Sequence, residues 1–144
     1  MKAADDSGMP RLRRPAALSR EDHYAAICAS LWAERELMQG LAVAMVNERL
    51  AGSDPFCGIG GPSEVEREAM ERLALQDVLR AAMVESLVAS GEAYPGATLA
   101  HLVVTAPDPW STMLADHGLA LRALLSDLTL LGDVRQGSLA DFLG

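Results

Sequence analysis

The stretch that decides the fold is LWAEREL at residues 31–37, answered by APDPWSTMLADHGLALRALLSDLTLL at residues 106–131. Around the first, Tyr24, Ile27, Cys28, Leu31, Met38, Leu41 and Met45 recur as one helical stripe. Trp32, Val43, Val46 and Leu50 form a second stripe about 100° round the same wheel, so this helix needs two neighbours. In the second stretch Trp110, Leu114, His117, Leu121, Leu124, Leu128 and Leu131 fall at heptad spacing, the pattern of a helix packed along another.

Start and stop signals set the bounds. Ser19-x-x-Asp22 is a near capping box with acidic residues in the first turn, and Gly52 ends the run, which predicts a helix over 19–51. The segment 52–62, GSDPFCGIGGP, must be a loop. Its Gly58-Ile59-Gly60-Gly61 stretch lacks the preceding strand and following Lys-Ser/Thr of a phosphate-binding loop. Ser63-x-x-Glu66 is a full capping box and Gly91 a stop, giving a helix over 63–90. Its stripe is Met70, Leu73, Ala74, Val78, Ala81, Val84, Leu87 and Val88, with Asp77 inside it and Arg80 at its edge as a partly solvated ion pair. Thr98 caps a short helical turn over 99–105, and Asp108 with Pro109 opens the third long helix, 109–132. Residues 138–143 add at most a last turn or two. The expected fold is all-α: an antiparallel bundle of three long helices with a short extra turn and no strand, Leu31 and Met38 meeting the 121–128 region.

Bulk composition agrees. The 144 residues are 50% apolar but only 4% aromatic, so the core must be aliphatic, and Ala and Leu favour helices. Residues 1–18 mix Pro, Gly and scattered charge without a period and read as a disordered basic tail, leaving 19–144 as one helical domain. Through Arg20 the net charge is +3, which leaves −11 of the total −8 on the rest, a body that repels phosphate backbones and excludes nucleic acid. No charge-free apolar run reaches the ~18 residues of a membrane span. The start lacks a secretory apolar region, so Cys28 and Cys57 read as idle thiols and the expected location is the cytoplasm.

No catalytic motif emerges. His23, His101 and His117 lie on separate segments without a second ligand at metal spacing, and no cofactor is implied. His117 reads as a core-edge histidine, bonded to a carboxylate or near solvent, ahead of a catalytic base acting with Asp116. Met38, Met45 and Met70 coincide with core stripes. The third helix carries more leucine than one neighbour needs. Leu119, Ala123, Leu130 and Val134 lie nearly opposite Leu114, Leu121, Leu125 and Leu128, and such a row suits a partner helix.

LWAEREL, the EVE start at 64–66, TLAHL at 98–102 ahead of APDPW at 106–110, and LADHGLALRALLSDL at 114–128 appear in an order and spacing that resembles the FlgN-type flagellar export chaperones, in their divergent actinobacterial form. The likeness covers about residues 25–135. The chain departs from the family in its Gly/Pro-rich loop and in Val134-Arg135, where relatives tend to carry Asn-Arg. The resemblance implies a non-enzymatic chaperone. Family members bind C-terminal amphipathic segments of hook–filament junction (hook-associated) proteins, keep them unpolymerised and deliver them to the flagellar export apparatus. The expected contact row is Leu119, Ala123, Leu130 and Val134. The alternatives are a helical module that self-associates into a homodimer through that row, and a small enzyme using His117.

Overall fold

A computed structural model describes residues 18–51, 63–132 and 137–144. The basic tail, the Gly/Pro-rich loop with Cys57, and Val134 lie outside the described residues. All regular structure among those described is α-helical: α1 Arg20–Ala51, α2 Glu64–Ala89, α3 Leu99–Thr105, α4 Trp110–Leu131 and α5 Gly137–Leu143.

The first four helices start and stop within a residue of their sequence signals. Ser19 and Asp22 exchange reciprocal side-chain bonds of 3.1 Å at the head of α1. Ser63 Oγ accepts the Glu66 N–H at 3.2 Å. The expected reciprocal bond is replaced, because the Glu66 carboxyl turns to Glu48 on α1. At the end of α2 the Glu92 N–H reaches Leu87 O and the Gly91 N–H reaches Val88 O, with Gly91 at φ 87°. That is a Schellman stop, which needs the left-handed conformation glycine tolerates. Thr98 and His101 close a capping box on α3.

Asp108 does not cap α4. The helix begins at Trp110, and the Pro107 carbonyl accepts from both Trp110 N–H (2.9 Å) and Ser111 N–H (3.3 Å). Those donors are therefore satisfied without a side chain. Ser111 Oγ also donates to Val103 O at 2.6 Å, which ties the start of α4 to α3. Farther along, a Cβ on Gly118 would stand 2.8 Å from Leu99 Cδ2, so glycine is what lets α3 lie so close on α4.

Helix α1 is the hub: α2 and α4 both pack along it. Leu31, Met38 and Leu41 from α1 share one buried aliphatic core with Leu114, Leu121 and Leu128 from α4 and Leu87 from α2. The second apolar stripe of α1 does not gain the neighbour expected for it. Trp32, Val43, Val46 and Leu50 stay 40–78% exposed. The reason lies in where the partners sit. Helix α2 meets α1 on its Ser30 and Glu34 side, whereas α4 meets it where Arg35 reaches His117 and Arg49 reaches Leu131 O. Both partners flank the main stripe, so the second is left over.

Helix α2 is also rotated from its expected face. Leu87 is buried and Met70, Leu73, Val84 and Val88 are half-buried, yet Ala74, Val78 and Ala81 face outward. Arg80 and Glu66 take the inward positions instead. Finally, α5 is a helix in its own right. Leu139, Phe142 and Leu143, at i, i+3 and i+4, all enter the core.

Candidate functional site

The polar residues of LWAEREL act as clamps. Glu34, 1% exposed, bonds Arg80 of α2, itself 2% exposed, and Arg80 bonds Asp77 through its other amino group. The expected Asp77–Arg80 pair is present with Asp77 30% exposed, and Glu34 extends it into the core. The α1 carboxylate requires a cation in the core, and rotation of α2 supplies it. Burial pushes the Glu34 carboxyl up to about 7, although Arg80 beside it draws it down. Glu34 Oε2 has no hydrogen-bond partner among the described residues. The Phe142 ring covers the guanidinium, 5.1 Å from Cζ to the ring centroid.

The next residue clamps the other neighbour. Arg35 Nη1 lies 3.1 Å from His117 Nδ1 and its Cζ 4.8 Å from the Trp32 ring centroid. A guanidinium only donates, so Nδ1 accepts and this imidazole is the neutral Nε2–H form. Burial and then the Arg35 charge hold the His117 pKa below its ordinary value. His117 at the core edge is thus the partner of an arginine and not of the expected carboxylate. Cys28 is buried as well, and burial pushes its thiol up to about 11, far from a reactive thiolate.

Two carboxyls make stability depend on pH with a definite sign. Glu34 and Glu66 are both raised from 4.5 to about 7, Glu34 by burial and Glu66 by burial and its bond to Glu48. The folded state therefore binds protons more tightly than the unfolded state between those values. Stability is fully present below pH 4.5 and falls as pH rises towards about 7. The urea midpoint is expected to be higher at pH 5 than at pH 8, and Glu34→Gln should flatten the difference. A midpoint that rises from pH 5 to pH 8 would contradict this.

The expected contact row is partly in view. On α4, Leu119 and Leu130 are 68% and 76% exposed and Ala123 faces solvent beside them, while Val134 is outside the described residues. Leu130 also borders an open cavity of about 400 Å³ between α4 and α5, walled by Leu125 and Thr129 on one side and Ala140 and Leu143 on the other. Helix α5 packs on α3 and α4. Its Phe142 lies on Arg80 of α2, and its Leu143 carbonyl accepts a 2.6 Å bond from Arg122 of α4. Sequence reasoning missed this seat. Its signal was the Leu139, Phe142, Leu143 spacing, but seven residues are too few for periodicity to be decisive.

Burying each of those side chains gains about 1.5–3 kcal/mol. Ordering the backbone costs about 1–2 kcal/mol for each residue of α5. The two totals are of similar size, so burial of the three side chains does little more than offset the ordering of α5.

Among the described residues no His, Cys, Asp and Glu cluster could hold a metal, and no helix is long and apolar enough to cross a membrane. No family model, curated protein or solved structure matches this chain.

Proposed function

We propose that the chain is a flagellar export chaperone of the FlgN type, which holds C-terminal amphipathic segments of hook-associated proteins unpolymerised in the cytoplasm before secretion. In this proposal α1, α2 and α4 are the three long antiparallel helices of the bundle, and the export apparatus receives the loaded complex. The observation that carries it is the exposed α4 row of Leu119, Ala123 and Leu130, on the side of the helix away from the core leucines. Large apolar side chains left wet on one helix face are what a partner helix covers. The ordered LWAEREL, TLAHL and APDPW stretches support the family assignment.

The test is binding of synthetic C-terminal segments from hook-associated proteins, followed by calorimetry. Leu130→Glu is expected to abolish binding, because it sets an unpaired charge in the contact. It should change stability by no more than about 0.5 kcal/mol, since Leu130 lies on the surface. If Leu130→Glu unfolds the chain, the row is internal packing and the assignment of the surface fails. Light scattering examines the alternative. A dimer that ignores every such segment, and that Leu130→Glu converts to monomer, identifies a self-associating module.

A further inference from the structure

We infer that the cleft α5 occupies, formed by α3 and α4 with Arg80 of α2 against one side, is a receptor for an amphipathic helix of another polypeptide, and that α5 is its resident, displaceable occupant. This deepens the proposed function by locating a second part of the cargo seat, and its test needs no flagellar protein.

The seated segment defines the chemistry of the ligand. Helix α5 presents Leu139, Phe142 and Leu143 at i, i+3 and i+4, all buried, while Asp141 faces solvent. Two cationic side chains contact the seated helix. Arg80 meets the Phe142 ring, and Arg122 takes the carbonyl of Leu143 in the last turn. A helix C-terminus carries partial negative charge, so Arg122 orients the incoming helix with its carbonyl end towards α4. An aromatic residue at i+3 belongs over Arg80, and a lysine or arginine in that last turn is repelled by both cations.

Three features make the seat exchangeable. Helix α5 has only seven residues, below the length at which a helix holds itself together. Beside it, along α4, an open cavity of about 400 Å³ remains, bordered by Leu125 and Leu130. A longer helix would occupy that space and cover Leu130, joining the cleft to the exposed α4 row. Beneath Phe142 lies the guanidinium of Arg80, which water can hydrate when the ring departs, so opening the cleft does not uncover a purely apolar floor.

The probe is a fluorescein-labelled peptide of residues 137–144, GSLADFLG, titrated against the full chain and against the full chain carrying Leu139→Ser and Phe142→Ser. The double variant vacates the seat, so the peptide should bind it at least about tenfold more tightly than wild type, a difference of about 1.4 kcal/mol. A peptide with Phe142→Ser should not bind. Equal affinity for wild type and the vacated chain, or no binding to either, overturns the inference. Should the double variant fail to fold, hydrogen exchange on the wild type decides the matter. Amides of α5 exchanging well before those of α4 support a separately opening occupant. Exchange of both only on global unfolding overturns it. Hook-associated segments then separate the two proposals. Segments that ignore a vacated cleft which still binds GSLADFLG defeat the cargo assignment alone. Segments that bind wild type and vacated chain equally, with Leu130→Glu abolishing both, defeat the cleft alone.

Discussion

Arg80→Met is expected to lower stability by about 3–5 kcal/mol. The side chain lengths are similar, so the effect is electrostatic rather than a cavity. Glu34 is 1% exposed and depends on Arg80 for its charge partner, while Asp77 keeps 30% of its side-chain surface and can rehydrate. Removing the cation strands a buried carboxylate, which must ionise without a partner or take up a proton. The loss should therefore shrink as pH falls from 8 to 5, because protonation of Glu34 removes the stranded charge. Combining Arg80→Met with Glu34→Leu removes both buried charges together. The double variant should be more stable than Arg80→Met alone, a coupling visible in a double-mutant cycle. Urea denaturation of the four species measures each quantity. A single-variant loss under about 1 kcal/mol would mean that water reaches Glu34 and that the cluster is a surface pair.

Leu121→Ala should cost about 2–5 kcal/mol. Leu121 is fully buried on α4, in the same core as Leu31 and Met38 of α1 and Leu87 of α2. Truncation there removes methyl groups from close packing and leaves a cavity between helices that cannot easily collapse. Leu124→Ala should cost less, since Leu124 is only partly buried at the edge of the core. Leu119→Ala, at 68% exposure, should stay within about 0.5 kcal/mol. Thermal or chemical denaturation of the three variants thus reads out the face that α4 turns inward. An order other than Leu121, Leu124, Leu119 would show a different rotation of α4.

The rotations of the long helices were unequally legible. That of α4 could be read because its leucines repeat at one angular position and burying them dominates every other contribution. For α2 the apolar stripe misled, since Val78 sits in that stripe yet is 66% exposed, while Arg80 is buried. Counting apolar residues weighs each helix separately. It misses that Glu34 of α1, once buried, is met by Arg80, which turns inward on α2 while Val78 turns out. The outward face of α4 was legible for the opposite reason: Leu119 and Leu130 remain exposed because the inward positions were already filled.

What the amino-acid sequence determined by itself was local: the all-helical character of the described segments, the ends of α1 to α4, and the aliphatic core face of α4. Capping, glycine stops and helical periodicity act within a few residues, so they are written in adjacent letters. Tertiary structure alone decided the pairing of Glu34 with Arg80, the Arg35–His117 clamp and the docking of α5 across Arg80 and Arg122. The clamps join residues 46 and 82 positions apart. Nothing nearby in the chain marks such partners, because each is selected only when packing has removed water from both and left a charge or a ring face that one particular neighbour can satisfy.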